Sequence, residues 1–321
     1  MLLRSGQPFK AAPGLVSKYN YFATHRDDYE VLFIGSSRIY HQIIPKQFDA
    51  RVAEREGIKL RSFNCGYDGC WPPESYFLLR KLLALRPRKL RWVVVDLMEI
   101  DARIDERSKT LRMAYWHDWT HTMMAWRQLV RPPATLLDAK TSAMAVEHGK
   151  YLLKQWTGFG RGAEWMEDRL TSKKKKKPPL EPKEWAGKEG FNAGLTTAMA
   201  GRELADFEEK VASLPRQLSP KSLSPAFSDA VRKLIVDIRK AGAEPVFLIA
   251  PTLNPYENFA RLPDGEPLLA FNDPRRYPRL FDPAMHYDGW HLNEKGAIYF
   301  TDLVAEQFCE VLRKDSRSLS R

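Results

Sequence analysis

The chain has 321 residues, with 51 lysines and arginines against 40 aspartates and glutamates for a formal net charge of +11, and 44% of it is hydrophobic. That length suits one large domain or two small ones, and the apolar content excludes a chain disordered throughout. Three cysteines, Cys65, Cys70 and Cys309, are too few for a disulfide scaffold or a four-ligand zinc site, so reduced thiols are expected.

The opening residues, MLLRSGQPFKAAPGLVSKYN, hold no apolar run long enough for a secretory signal core or a membrane span, and neither does any later stretch. As written the chain reads as soluble and cytoplasmic by default; an anchor upstream would make it periplasmic or membrane-associated. Residues 1–29 read as an N-terminal extension. EVLFIG, residues 30–35, is a short apolar run closing on glycine, and Ser36 and Ser37 follow it. This pattern predicts a strand, a tight turn and then a helix from Pro45 to Glu56. Lys59 to Asn64 is a second strand candidate, ending on the glycine-bearing turn Cys65 to Gly69. Pro72 and Pro73 then open the apolar-periodic helix ESYFLLRKLLAL.

LRWVVVDL, residues 90–97, is a nearly continuous β-branched run, as expected of a strand buried on both faces. From 101 to 223 the pattern changes to aromatic-rich helical segments, YWHDWTHTMMAWRQLV and MAVEHGKYLLKQW, and then to a polar, proline-bearing stretch. Residues 102–223 therefore read as a helical insertion, with a lysine-rich mobile loop at 171–190. That loop carries seven lysines and three glutamates, +4 of the +11. SPAFSDAVRKLIVDIRKAG predicts a helix stopped at Gly242, EPVFLIA a fourth buried strand, and NEKGAIYFTDLVAEQFCEVLRK a final amphipathic helix with Asn293 as its N-cap. Alternating strands and helices predict a three-layer α/β/α sandwich with a parallel sheet of about five strands. The sheet core comprises 30–101 and 224–312, and 313–321 is expected to be a flexible tail.

Chemistry-bearing residues gather at the predicted strand ends, where open α/β sheets place their sites. A serine on a tight strand-to-helix turn is exposed, with helix N–H groups aimed at whatever it attacks. His291 can accept the hydroxyl proton if Asp288, three residues earlier, holds its other ring nitrogen. N–H donors at Ser37 and Gly69 would complete an oxyanion hole.

FIGSSR, NCGYDG and DGWHLN, in that order, resemble the motifs of the SGNH, or GDSL-like, hydrolase superfamily. The resemblance covers roughly residues 30–101 and 224–312. It implies a flavodoxin-like sheet, Ser37 rather than Ser36 as nucleophile, His291 and Asp288 as its partners, and no metal or organic cofactor. At the position of that family's oxyanion-binding asparagine this chain has Ile100, which cannot donate; losing one such donor typically costs about 10² to 10³ in rate. The GSSR variant resembles the branch that includes proteins of alginate O-acetylation and teichoic-acid D-alanylation. That likeness implies an acylated small molecule or glycan as substrate and a membrane-bound acyltransferase as partner.

Each candidate has a plainer reading. Ser37 would serve equally as a helix-capping turn serine, and Asp288 and His291 as caps of the last helix. Arg38 would bind a substrate carboxylate or phosphate, or pair locally; Asn64 and Trp290 are further candidate substrate contacts. His117 and His121 lie four apart, but with no third ligand in view a metal site is not expected. Trp116, Trp119 and Trp126 would form a lid, a sugar platform, a docking face or simply core. Lys173 to Lys177 read as a solvated loop, since no nucleic-acid module accompanies them. A catalytically weak module that binds acylated glycans, or docks on a membrane acyltransferase, is the alternative to an esterase or O-acyltransferase.

Overall fold

The computed structural model describes residues 12–100, 102–104, 111–130, 138–157, 185–193 and 199–319. The strands are Val31–Ile34 (β1), Ser62–Asn64 (β2), Trp92–Asp96 (β3), Glu244–Ile249 (β4) and Leu268–Ala270 (β5). They form one all-parallel sheet in the order β2-β1-β3-β4-β5. The helices used below are Pro13–His25 (α1), Ser37–Tyr40 (α2), Pro45–Glu56 (α3), Glu74–Leu83 (α4), Leu111–Trp116 (α5), Trp119–Leu129 (α6), Ala139–Thr157 (α7), Gly201–Gln217 (α8), Pro225–Lys240 (α9) and Glu294–Leu319 (α10).

Alternation along each strand sorts the apolar side chains into two layers. Leu32 and Ile34, Val93 and Val95, and Phe247 and Ile249 pack under α1, α4 and α9. Val31 and Phe33, Val94, Val246 and Leu248 pack under α3 and α10. The protein is thus a three-layer α/β/α fold, with α5 to α8 inserted between β3 and β4.

Local chemistry explains the helix limits. Pro45 starts α3, and Gly57, at φ +67°, ends it with its N–H on the Ala53 carbonyl. The Ser224 hydroxyl caps α9 by accepting from Phe227 N–H. Asn293 Oδ1 caps α10 by accepting from Gly296 N–H at 3.1 Å.

The sheet has the expected five strands, although β5, only three residues long, has no sequence candidate of its own. Three regions depart from expectation. The segment preceding β1 is integral to the core, because Leu15 and Phe22 of α1 are buried there. Helix α10 continues to Leu319, through most of the stretch expected to be a tail. Of the lysine-rich loop, residues 171–184, including Lys173 to Lys177, lie outside the described residues. Its final residues are anchored: Trp185 is buried and donates to Ser17 Oγ at 3.1 Å, and Glu189 accepts from Tyr29 at 2.5 Å. All three cysteines are free and buried.

Helix α1 also buries Lys18, whose Nζ donates to the Gly66 carbonyl at 2.6 Å and lies 3.9 Å from the Tyr40 ring centre. Burial pulls this amine from its ordinary 10.5 down to about 7, against the pull of Cys65, Asp68 and Cys70. Between those two pH values the unfolded chain binds a proton that the folded chain does not, so this residue makes stability rise with pH from about 7 toward 10.5. In urea unfolding at pH 7 and pH 9, the native midpoint should gain on that of Lys18→Met as pH rises. Parallel midpoints would refute the assignment.

Candidate active site

The site forms where the sheet order reverses, outside the carboxyl ends of β1 and β3. Gly35 ends β1. A Cβ there would lie 2.4 Å from Asp96 Cβ and 2.6 Å from Ile39 Cγ1, so only glycine lets the turn rest against β3. The two serines that follow have separate partners. Ser36 is buried; its hydroxyl donates to Asp96 Oδ2 at 3.0 Å and accepts from Arg38 N–H at 3.3 Å, capping α2. Ser37 faces the cleft, with Oγ 2.7 Å from His291 Nε2.

His291 in turn places Nδ1 2.9 Å from each Asp288 carboxylate oxygen. Asp288 Oδ1 also accepts from the N–H groups of Trp290 at 2.7 Å and His291 at 2.8 Å, which closes the loop into a rigid turn. Nδ1–H therefore donates to the carboxylate, and Nε2 is left to accept from the serine hydroxyl. Burial alone would raise the Asp288 carboxyl, but these donors outweigh it and hold the group below the ordinary carboxylate range. Residues 254 apart in the chain thus form one hydrogen-bonded line.

The Ser37 and Gly69 N–H groups make no hydrogen bond to protein among the described residues. Gly69 has φ +63° and sits on the turn after β2; it is not one of the cleft-lining residues, whereas Trp71, two residues on, is. Ile100 is buried and forms part of the apolar cleft wall.

Two expected substrate contacts are reassigned. Arg38 borders the cleft, but its Nη1 donates to Glu257 at 2.6 Å and its Nη2 to Asp96 at 3.0 Å, all three side chains being at most 8% exposed. Burial opposes the guanidinium charge, while the two carboxylates favour it and win. Arg38 is therefore the centre of a buried ion network joining the serine turn to β3 and the loop after β4. Asn64 is fully buried; its amide donates to the Ile39 and Ile43 carbonyls at 2.7 and 2.8 Å and accepts from Gly66 N–H. It pins α2 and is not among the residues that line this cleft. Trp290 is at the cleft mouth, as a substrate contact would be.

The cleft encloses about 870 Å³. Its mouth carries three half-exposed aromatic side chains, Trp71, Tyr256 and Trp290. Its apolar wall includes Met98, Ile100, Leu129 and Met144, so α6 and α7 of the insertion form one side of it. Trp71, two residues beyond NCGYDG, and Tyr256, in the short 3-10 turn Pro255–Glu257, were not among the sequence candidates.

The tryptophan stripe lies elsewhere. Trp116 is buried, Trp119 is exposed, and Trp126 donates to the Ala145 carbonyl at 3.0 Å, so none forms a platform in the cleft. His117 and His121 are both buried and do not act together. His117 Nε2 lies 2.8 Å from His148 Nδ1, and His148 Nε2 lies 2.8 Å from the Ala102 carbonyl, which ties α5 and α7 to the cleft wall. His121 pairs with Asp118 at 2.6 Å. Among the described residues no three His, Cys, Asp or Glu side chains group as a metal site, and no helix is long and apolar enough to cross a membrane.

No family model matches the chain, and no curated protein matches it.

Proposed function

We propose that the protein is an SGNH-type serine esterase or O-acyltransferase. The observation that carries this reading is the Ser37–His291–Asp288 line, open to a cleft of drug-like size. Ser37 Oγ attacks the acyl carbonyl while His291 Nε2 takes the hydroxyl proton, and the imidazolium forms beside ionised Asp288. The donors left to hold the tetrahedral oxyanion are the Ser37 N–H in the cleft and the Gly69 N–H on the turn that leads to cleft-lining Trp71. Collapse breaks the ester bond, His291 protonates the departing alcohol, and an acyl-Ser37 intermediate remains. Water or a carbohydrate hydroxyl then attacks the acyl carbon with His291 as base; collapse breaks the acyl–Ser37 bond, the acid or new ester leaves, and His291 returns its proton to Ser37 Oγ. No step calls on a metal or organic cofactor.

A glycan substrate is supported by the aromatic rim, whose exposed ring faces suit sugar stacking beside an apolar acyl pocket. A membrane-bound acyltransferase partner rests on the motif resemblance alone. Ile100 favours a second reading, a module that binds acylated glycans without turning them over, because the side chain at that position of the cleft wall carries no donor.

Covalent labelling separates the two. A fluorophosphonate should modify the native protein once, on the peptide containing Ser37 by mass spectrometry, and leave Ser37→Ala untouched. Absence of any Ser37 adduct would remove the enzyme reading and leave the binding module.

A further inference from the structure

The turn that carries Gly69 is controlled from the insertion. The Tyr67 carbonyl accepts from Cys70 N–H at 3.1 Å, closing a four-residue turn with Asp68 and Gly69 at its centre. Gly69 has φ +63° and Asp68 is not in the positive-φ region, the pattern of a type II turn. Types I and II differ by a flip of the central peptide, which reverses the direction of its N–H. Glycine at the third position admits either form at little cost.

Arg112 holds the carbonyl of this peptide, while His41 Nε2 lies 2.8 Å from the Asp68 carboxylate. Arg112, on α5, donates from Nη1 to the Asp68 carbonyl at 2.8 Å and from Nε to Glu74 Oε1 at 2.7 Å. Asp68 C=O and Gly69 N–H belong to the same peptide plane and point in opposite directions across it. A guanidinium on the carbonyl therefore fixes where the N–H points. It also polarises the peptide and makes that N–H a stronger donor. Glu74, nearly buried at the start of α4, anchors the guanidinium, whose Cζ lies 5.2 Å from the Tyr67 ring centre.

We propose that Arg112 is a positioning residue of the oxyanion hole: it locks the Asp68–Gly69 peptide so that the Gly69 N–H faces the acyl oxygen. This rests on the acyl-transfer reading above. It gives the insertion a part in catalysis beyond walling the cleft, and it offsets the missing donor at Ile100 with a charge-assisted one.

The test is steady-state hydrolysis of p-nitrophenyl acetate, together with inhibition by an alkylboronic acid, whose Ser37 adduct is tetrahedral. Arg112→Met should lower kcat by about 10- to 100-fold, less than outright loss of a donor. KM should stay within about twofold, and boronate affinity should fall in step with kcat. Arg112→Lys keeps a cation but not the two-pronged geometry, and it should show the same pattern more weakly; it decides the matter if the methionine variant does not fold. Added guanidinium should restore kcat to Arg112→Ala. Native kcat in folded Arg112→Met and Arg112→Lys would overturn the inference, and so would a loss of kcat with boronate affinity unchanged. A native protein that neither hydrolyses the ester nor labels at Ser37 would instead overturn the acyl-transfer reading itself.

Discussion

Asp288→Asn should lower kcat on p-nitrophenyl acetate by about 10⁴-fold while the protein keeps its fold and its KM within about twofold. The geometry explains why so small a change acts so strongly. Both backbone donors to this side chain, Trp290 N–H and His291 N–H, end on Oδ1. The asparagine oxygen can occupy that position, so the turn survives. Its amide then takes the place of Oδ2, 2.9 Å from His291 Nδ1, and presents an N–H where a carboxylate had accepted one. The oxygen at Oδ1 is equally close to Nδ1 but already accepts from two backbone N–H groups, so the amide N–H tips the ring toward carrying its proton on Nε2. That nitrogen then donates toward Ser37 Oγ and can no longer take the hydroxyl proton. In the native protein this failure would require protonating Asp288. Its carboxyl is held below the ordinary range, so the tautomer is secure wherever the pH stays above that depressed value. Melting temperature by circular dichroism and steady-state kinetics check both halves. A variant that retained more than a tenth of native kcat would take Asp288 out of the chemistry.

How much of this was legible in the sequence depended on where each residue's partner lies. Strands β1, β3 and β4 announce themselves as apolar runs, β2 by the glycine-bearing turn it runs into, and the serine turn follows from a glycine and two serines at the end of β1. Asp288 and His291 are three apart, so their pairing is a local matter of one turn. Arg38 is different: its partners are 58 and 219 residues away, and next to a nucleophile an arginine bound inward reads the same as one bound to substrate. Asn64 is misread for the same reason, since its acceptors lie 25 and 21 residues away, in α2 and just after it. The short edge strand β5 has too few residues to show a period. The helices of the insertion were visible, but not that they turn Leu129 and Met144 toward the serine or send Arg112 to the glycine turn. Such placements come from packing between elements and leave no local pattern.

The buried network around Arg38 leads to the second large effect, on stability. In Arg38→Met the methionine fills most of the space, but Asp96, with a fully buried side chain, and Glu257, 8% exposed, lose their shared counter-charge. Breaking a buried pair by removing one partner costs about 3–5 kcal/mol, which corresponds to a fall of roughly 6–10 °C in melting temperature at about 2 °C per kcal/mol for a chain of this size. Turnover should drop as well, because Asp96 also holds the Ser36 hydroxyl at the start of α2, one residue before the nucleophile. Neutralising one acid separates charge from packing: Arg38→Met combined with Asp96→Asn should recover part of the lost melting temperature, since an amide at 96 can still accept from Ser36. If the double variant were no more stable than Arg38→Met, lost packing rather than an uncompensated charge would account for the cost.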